Sequence, residues 1–227
     1  MVMIGPSLMC AKLDDLNNEM QRLEEADVDY YHFDIMDGQF VPNFTFGPDL
    51  IKALRDKTDK PFDIHLMVNE PDSYIELFHS VGSDMISVHV ESVTHLHRTL
   101  EKIKGFGMKA GVALNPSTPL DSIQYVADIV DYVCLMSVNP GFAGQKFIPS
   151  IYKKIEQLQK FKTENNYEFD IQVDGNISFE VIPKAVNLGA TMLVVGTSSL
   201  FNQDQGYKEC IDKIKISYSS TQEMQSK

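Results

Sequence analysis

The sequence YYHFD at residues 30–34 is a short strand-like run, and the amphipathic segment Asp49–Thr58 separates it from a second such run, Phe62–Leu66. A strand, a helix and another strand in this order are typical of a βαβ unit, in which the two strands are parallel. The same alternation continues in both directions from this unit. The number of repeats of the unit therefore decides the fold.

Eight strand-like runs alternate with helix-like segments along the chain. The runs are Met3–Ser7, Tyr30–Asp34, Phe62–Leu66, Met85–His89, Lys109–Leu114, Tyr132–Met136, Asp170–Val173 and Met192–Val195. The helix-like segments include Leu13–Ala26, Asp49–Thr58, Pro71–Val81, Leu120–Ala127, Ile151–Asn165 and Ser178–Leu188. In the first of these segments the apolar residues recur at the helical spacing of three and four residues. Eight repeats predict a closed (β/α)₈ TIM barrel, a single domain over residues 1–227 whose polar end, residues 217–227, is expected to fray.

An open doubly wound sheet is the other fold that this alternation permits. Such a sheet usually carries the glycine fingerprint GxGxxG after its first strand. At that place the present chain has Pro6-Ser7-Leu8-Met9-Cys10. The chain length of 227 residues suits one barrel domain. We therefore favour the barrel.

The chain is acidic, with 20 lysine and arginine residues against 32 aspartate and glutamate residues and a net charge of −12. This balance argues against a nucleic acid or a membrane surface as partner, because both favour basic patches. A phosphorylated ligand would have to be held largely by backbone N–H groups and helix N-termini. No apolar run reaches the roughly 20 residues that span a bilayer. The spacing of Cys10, Cys134 and Cys210 is not that of a disulfide framework, so we expect a cytoplasmic protein.

Residues that suit a divalent metal stand at the predicted carboxyl ends of three strands. His32 and Asp34 are two residues apart on one strand and therefore point to the same side. His65 stands at the end of the next strand, and Asp174 follows the seventh. In a (β/α)₈ barrel the active site lies at these strand ends. Two imidazoles and two carboxylates predict a site for one divalent ion per chain, Zn²⁺ first, with Fe²⁺, Mn²⁺ or Co²⁺ as alternatives.

The other buried or polar candidates receive supporting roles. His89 also ends a strand, but it has no partner at a suitable spacing, and we expect it to be structural. Asp63 lies on the same side of its strand as His65 and is expected to be buried or to support a ligand. The histidines expected to face solvent are His79, His95 and His97.

Glycine-rich loops follow the sixth, seventh and eighth strands. They are Asn139–Gln145, Asp174–Asn176 and Gly196–Ser199. Glycine lets the backbone approach an anion closely, and Thr197 and Ser198 are expected to cap a short helix or to donate hydroxyl groups. Alone, Asp174-Gly175-Asn176 is equally typical of a turn. Because barrels often bind phosphate with the loops after strands seven and eight, the three loops together predict a phosphate site.

In combination these motifs resemble those of the ribulose-phosphate 3-epimerases and their hexulose-phosphate relatives. The resemblance extends in order over nearly the whole chain, and it is carried by His32–Gly38 with Phe40–Asn43, His65–Val68, Asn139–Gln145 and Val173–Gly175. It implies an isomerase that inverts C3 of a ketose phosphate with a bound metal.

The resemblance also implies roles for individual residues. His32, Asp34, His65 and Asp174 would bind the metal, and the two aspartates would also form the acid–base pair. Ser7 and His65 would contact the sugar. The residues that frame the substrate and its phosphate would be Gly141, Phe142, Ala143, Gly144, Gly175, Asn176, Gly196 and Thr197. Met36, Met67 and Met136 would line the site, although their spacing alone is more typical of methionines that fill a core.

Three departures from the pentulose-phosphate pattern concern the choice of substrate. The segments that depart are Ser7-Leu8-Met9-Cys10, Gly141-Phe142-Ala143-Gly144 and Gly196–Asn202. All three are similar to the allulose-6-phosphate 3-epimerase branch. The expected reaction is therefore D-allulose 6-phosphate to D-fructose 6-phosphate, with D-ribulose 5-phosphate to D-xylulose 5-phosphate as the alternative.

Two other functions fit a barrel with a phosphate site. Sugar-phosphate lyases commonly use a lysine at a strand end, and the predicted strand ends carry none. A non-enzymatic barrel that binds sugar phosphates would not need paired carboxylates. We therefore favour an enzyme with a small-molecule ketose phosphate as its ligand, and we expect it to be a homo-oligomer.

Overall fold

The computed structural model describes the backbone of residues 2–225 and the side chains of residues 2–219, and this part of the chain contains an eight-stranded parallel sheet. Its strands are β1 (Met3–Pro6), β2 (Tyr31–Met36), β3 (Phe62–Met67), β4 (Met85–His89), β5 (Lys109–Leu114), β6 (Tyr132–Met136), β7 (Asp170–Asp174) and β8 (Met192–Val195). Strands β2 to β8 pair in chain order, and β8 pairs with β1. A parallel bridge between Ser7 and His32 joins β1 to β2 and closes the barrel. The predicted TIM barrel is confirmed.

Helices surround the barrel in the described residues. They are α1 (Leu16–Glu25), α2 (Pro48–Arg55), α3 (Ile75–Ser80), α4 (Leu96–Gly105), α5 (Ser150–Glu164), α6 (Ile182–Asn187) and α7 (Tyr207–Gln225). Helix α7 includes most of the segment 217–227 that the sequence predicts to fray, and residues 226 and 227 lie outside the described residues. No helix in the described part of the chain combines the length and the apolar character needed to cross a membrane.

The connection after β5 differs from the prediction. In place of a helix over Leu120–Ala127, a 3₁₀ helix spans Leu120–Ile123 and hydrogen-bonded turns follow it. Backbone N–H groups in this segment donate to the carbonyl three residues back. Asp121 and Ser122 compete for backbone hydrogen bonds, and the β-branched residues that follow are poor helix formers, so the tighter turn is preferred here.

The helix before β8 also begins later than predicted. Residues 178–181 form a turn in which the Ser178 carbonyl accepts the N–H groups of Val181 and Ile182, and α6 begins only at Ile182. The predicted end of the helix is confirmed. Gly189, with φ of 117°, adopts the positive-φ conformation that commonly follows a helix C-terminus.

The strands send alternate side chains inward, and the inward residues form layers. At the base of the barrel the rings of Tyr30 and Tyr132 pack with Met85 and Met192. Gly111 makes room for this layer, because a Cβ atom there would lie 2.3 Å from Cζ of Tyr132. Above the base, the inward positions of β2 and β3 carry polar residues. The period of two thus turns these polar residues toward the inside of the barrel.

Candidate active site

Four buried side chains converge at the carboxyl end of the barrel. His32 and Asp34 belong to β2, His65 to β3, and Asp174 ends β7. One ligand atom from each lies within 4.8 Å of the others. The Nε2 atom of His32 is 3.4 Å from Oδ1 of Asp34 and 3.8 Å from Oδ2 of Asp174. The Nδ1 atom of His65 is 3.5 Å from each of these two oxygen atoms. The structure thus brings together all four predicted ligands.

These atoms are suited to a divalent cation. Two adjacent ligand atoms bonded to a zinc ion at about 2.0–2.2 Å lie roughly 3–4 Å apart. The four nitrogen–oxygen distances of the group fall in this range. The ring nitrogen atoms that face the group, His32 Nε2 and His65 Nδ1, are buried and have no hydrogen-bond partner. Buried polar atoms are seldom left in this condition. A cation between the two nitrogen atoms and the two carboxylates would satisfy all of them, so the group can hold a metal ion.

Asp63 fixes the orientation of the His32 ring. Its Oδ2 atom lies 2.9 Å from His32 Nδ1. The Tyr132 hydroxyl and the Gln172 Nε2 group donate to the same carboxylate at 2.6 and 2.7 Å. Burial raises the pKa of the Asp63 carboxyl, but these three hydrogen bonds outweigh burial and lower it. Facing a carboxylate, His32 Nδ1 carries a proton, and Nε2 is the ring atom that remains to bind a cation.

The Asp34 carboxylate is held by Ser7 on one side and by the histidines on the other. The Ser7 hydroxyl donates to Oδ2 of Asp34 at 2.6 Å. Burial raises the pKa of the Asp34 carboxyl, but the adjacent His32 and His65 outweigh burial and lower it. Asp34 is therefore an ionised group that can accept a proton.

A pocket opens above this group, and Asp34 and Asp174 reach its floor. His65 is fully buried below the pocket and is not among its lining residues, although the sequence predicts that it contacts the sugar. The predicted substrate residues that line the pocket are Ser7, Gly141, Phe142, Ala143, Gly144, Gly175, Asn176, Gly196 and Thr197. The remaining lining residues are Met9, Cys10, Val138, Asn139, Pro140, Gln145, Val194 and Ser198, together with three methionines.

The three methionines are Met36, Met67 and Met136, and they form an apolar wall of the pocket. Met36 and Met67 also pack in one apolar cluster with Val41, and Met136 packs in another with Cys134. The three methionines thus line the pocket and at the same time pack in apolar clusters. Uncharged side chains here exclude water from the neighbourhood of the two carboxylates.

Side-chain amides tie the pocket loops to one another. Asn43, in the loop after β2, donates from Nδ2 to the Gly141 carbonyl at 2.8 Å. Gln145 donates from Nε2 to the Phe142 carbonyl at 3.0 Å, and Asn176 donates to the Gln145 carbonyl. The loops after β2, β6 and β7 thus form one connected wall.

Glycine is required at the turn after β7. Gly175 has φ of 110°, and a Cβ atom there would lie 2.5 Å from Cγ2 of Val138. Its backbone therefore approaches the end of β6 more closely than any side chain permits. This turn directly follows Asp174, so Gly175 also helps to set the position of that carboxylate.

The loop after β8 does not contain the short helix that the sequence predicts. The backbone N–H groups of Leu200 and Phe201 donate to the Gly196 carbonyl and form a turn, and α7 begins only at Tyr207. The Ser199 hydroxyl anchors the turn by donating to the Ile177 carbonyl at 2.6 Å. Among the pocket residues in the described chain there is no lysine or arginine. Neutral donors therefore form this wall, as the acidic composition predicts.

His89, expected to be structural, contacts the ligand group. Its Nε2 atom lies 2.9 Å from Nε2 of His65, and its Nδ1 atom lies 3.1 Å from Oε2 of Glu91. Sequence reasoning missed this pair. The available signal was the two-residue spacing of His89 and Glu91 at the end of a strand. The three other histidines, His79, His95 and His97, are exposed as predicted.

Comparisons with known proteins agree on one family. The sequence model described as "Ribulose-phosphate 3 epimerase family" matches residues 3–201. The chain is 44% identical over 216 residues to the "Ribulose-phosphate 3-epimerase" of Bacillus subtilis, covering 95% of this chain and 99% of that protein. It is 45% identical over 218 residues to the "Ribulose-5-phosphate-3-epimerase, chloroplastic" of Arabidopsis thaliana, covering 95% and 77%. It is 39% identical over 214 residues to the Escherichia coli "Ribulose-phosphate 3-epimerase", covering 94% of each.

Solved structures show the same fold at much lower identity. KGPDC from Streptococcus mutans superposes with a TM-score of 0.74 at 13% identity, covering 96% of this chain and 98% of that one. The 3-hexulose-6-phosphate synthase from Salmonella typhimurium superposes with a TM-score of 0.71 at 16% identity, covering 96% and 99%. These likenesses concern the barrel alone. From the extent and identity of the sequence matches, the chain belongs to the ribulose-phosphate 3-epimerase family, a family of isomerases.

Proposed function

We propose that this protein interconverts D-ribulose 5-phosphate and D-xylulose 5-phosphate by inverting the configuration at C3, with a divalent ion held by His32, Asp34, His65 and Asp174. One observation carries the proposal: two carboxylates reach the floor of a pocket directly above two buried histidines whose free ring nitrogen atoms face them. A site that only bound a sugar phosphate would not need this costly buried set of charges.

The two aspartates supply the proton transfers. The hydrogen at C3 lies next to the C2 ketone, so its removal gives an enediolate. A divalent ion in the site supplies Lewis acidity, which stabilises the negative charge that develops next to C3. Asp34 and Asp174 stand on β2 and β7, which are separated in the barrel by β1 and β8. One carboxylate removes the proton from one face, and the other, protonated, returns a proton to the opposite face.

The neutral wall of the pocket is proposed to receive the phosphate. Gly141, Phe142, Ala143 and Gly144 contribute from the loop after β6, and Gly175 and Asn176 from the turn after β7. Gly196 and Thr197 contribute from the loop after β8. Backbone N–H groups in such loops bind anions without a basic side chain. Ser7 donates to Asp34 and lines the pocket, and its contact with the sugar is part of the proposal.

The comparisons support the pentulose alternative better than the preference for allulose 6-phosphate. Relatives at 39–45% identity, matched over at least 94% of this chain, carry ribulose phosphate in their names. The departures at Ala143, Thr197 and Ser198 lie in the pocket wall. They alter the wall but leave its neutral character, which a five-carbon substrate also requires.

The test compares both substrates on one zinc-loaded preparation. We expect kcat/KM for D-ribulose 5-phosphate to exceed that for D-allulose 6-phosphate by about tenfold or more, which corresponds to about 1.4 kcal/mol. The Asp34→Asn variant, assayed in parallel, shows that the activity belongs to this site. A preference for allulose 6-phosphate would overturn the choice of substrate, and inactivity with both would overturn the epimerase proposal itself.

Zinc is the first choice of metal because it binds both imidazole nitrogen and carboxylate oxygen atoms. Fe²⁺, Mn²⁺ and Co²⁺ accept the same ligand types. A cytoplasmic location, a single domain over residues 1–227 and a homo-oligomeric state complete the proposal. Metal analysis and size-exclusion chromatography of the purified protein test the ion and the oligomeric state.

A further inference from the structure

A chain of three hydrogen-bonded side chains leads from the candidate metal group toward the surface. Nε2 of His65 lies 2.9 Å from Nε2 of His89, and Nδ1 of His89 lies 3.1 Å from Oε2 of Glu91. Both histidine side chains are fully buried, whereas the Glu91 side chain is 23% exposed. We refer to His65, His89 and Glu91 as the histidine relay.

Glu91 sets the direction of the relay. Its Oε1 atom accepts the backbone N–H of Asn115 at 2.9 Å and the hydroxyl of Thr118. Burial raises the pKa of the Glu91 carboxyl, but hydrogen bonds from His89, Thr118 and Asn115 outweigh burial and lower it to about 2. A carboxylate accepts hydrogen bonds and cannot donate them. Nδ1 of His89 therefore carries a proton.

The contact between His89 and His65 joins two ring nitrogen atoms, so one of them donates and the other accepts. A neutral imidazole carries a single ring proton. With the proton on Nδ1, the Nε2 atom of His89 is an acceptor. Nε2 of His65 must then be the donor in the 2.9 Å contact. The remaining nitrogen of His65, Nδ1, keeps its lone pair and faces Asp34 and Asp174.

We propose that His89 and Glu91 are positioning residues that hold His65 in the tautomer able to bind a metal, as Asp63 does for His32. This inference rests on the proposed metal site. No carboxylate is needed at Nε2 of His65, because His89 accepts the hydrogen bond there and is itself oriented by the carboxylate of Glu91. Partners of this kind orient metal-binding histidines and are needed for full affinity.

If His89 were only structural, its two ring nitrogen atoms could be satisfied with the proton on either one. The histidine relay requires that His65 donates to His89 and that His89 donates to Glu91. The substitution Glu91→Gln reverses both hydrogen bonds. The Asn115 N–H can only donate, so the amide oxygen of the new side chain must face Asn115 and its NH₂ group must face His89. Nδ1 of His89 then accepts, its Nε2 donates, and His65 is driven to carry its proton on Nδ1. That proton occupies the lone pair that the ion needs.

The first experiment measures zinc affinity by competition with a chromophoric chelator. Glu91→Gln is expected to weaken Zn²⁺ binding by about 10- to 100-fold relative to the wild type. Glu70→Gln is the matched control. Glu70 and Glu91 line the same surface pocket, and the substitution also removes one negative charge there. The control is expected to retain wild-type affinity. Equal zinc affinity in Glu91→Gln and Glu70→Gln would overturn the relay.

The second experiment reads the tautomers in the wild type and does not depend on the variant's folding. Long-range ¹H–¹⁵N correlation spectra of the zinc-loaded protein are expected to show His89 protonated on Nδ1 and bare on Nε2. In Glu91→Gln the assignment at His89 is expected to reverse. A wild-type His89 protonated on Nε2 would overturn the proposal. Failure of the wild type to bind Zn²⁺ at all would instead overturn the metal site on which the relay depends.

Discussion

Removing the proposed divalent ion with a chelator is expected to lower the thermal stability of the protein substantially. Without a cation, His32 Nε2 and His65 Nδ1 are buried and lack any hydrogen-bond partner. Two aspartate side chains also remain close together beside them. The hydrogen bonds from Asp63 and His89 hold the two rings in place, so these nitrogen atoms still face the group when the ion is removed.

The magnitude follows from these two nitrogen atoms. Leaving one buried polar group unsatisfied costs about 1–3 kcal/mol, so two cost roughly 2–6 kcal/mol. Mass action gives a consistent value, because free metal at about 1,000 times its dissociation constant stabilises the folded state by about 4.1 kcal/mol. For a domain of this size about 1 kcal/mol shifts the unfolding temperature by roughly 2–4 °C. We therefore expect a decrease of roughly 4–24 °C, toward the lower end where water enters the site.

The assay is calorimetric unfolding of the purified protein before chelation, after it, and after one equivalent of Zn²⁺ is restored, with the metal content measured at each step. In His32→Ala the chelator is expected to have little effect, because the site is already broken. In His97→Ala, which changes an exposed histidine on α4, the full effect is expected to remain. An unfolding temperature that stays constant while the metal content falls from one ion per chain to none would refute the reasoning.

Two further predictions concern the carboxylates and a buried lysine. Asp34→Asn and Asp174→Asn are each expected to lower kcat by at least about 10²- to 10⁴-fold, the usual contribution of general acid–base catalysis, while Asp49→Asn on the exposed face of α2 leaves it unchanged. Steady-state assays and solvent-deuterium incorporation at C3 measure this, and normal turnover in either site variant contradicts the two-carboxylate mechanism. Burial lowers the pKa of Lys154 to about 8 from its ordinary value of 10.5. Between these pH values the unfolded chain binds more protons, so the free energy of unfolding of the wild type should rise relative to Lys154→Met from pH 8 to pH 10.5. Urea unfolding of both proteins across this range tests the sign, and parallel pH profiles would show that Lys154 titrates normally.

The strands were predictable because burial on both faces makes each one a short apolar run. All eight predicted runs correspond to strands of the barrel, and the differences lie at their ends. Strand β2 extends to Met36 rather than Asp34, and β3 to Met67 rather than Leu66. The methionines look like core filler or loop residues in the sequence. Only the closed sheet shows that they continue the inward-facing rows and reach the pocket.

The group of four candidate ligands was predictable from the periodicity of the strands. His32 and Asp34 share a face because they are two apart, and the barrel brings Asp174 to the same end. The period of two predicts which face of its strand a residue occupies. It does not predict which side chains of different strands contact each other. The contact of His65 with His89 depends on the pairing of β3 with β4, in which His65 lies opposite Ser87 and one inward position below His89. The spacing of residues along the chain does not predict this pairing register.

The polar layer beneath the metal group shows how the barrel core serves the site rather than stability alone. A buried carboxylate is costly unless donors surround it, and an apolar side chain at Asp63 would avoid that cost. Three donors meet the Asp63 carboxylate, from His32, Tyr132 and Gln172. Only the contact to His32 reaches the metal group, and the other two are needed because the first places a charge in the core. The tyrosine at the base thus belongs to the hydrogen-bond network that fixes one imidazole, and the glycine on β5 makes room for its ring. The hydrogen bonds that orient His32 thus extend from the pocket floor to the base of the barrel.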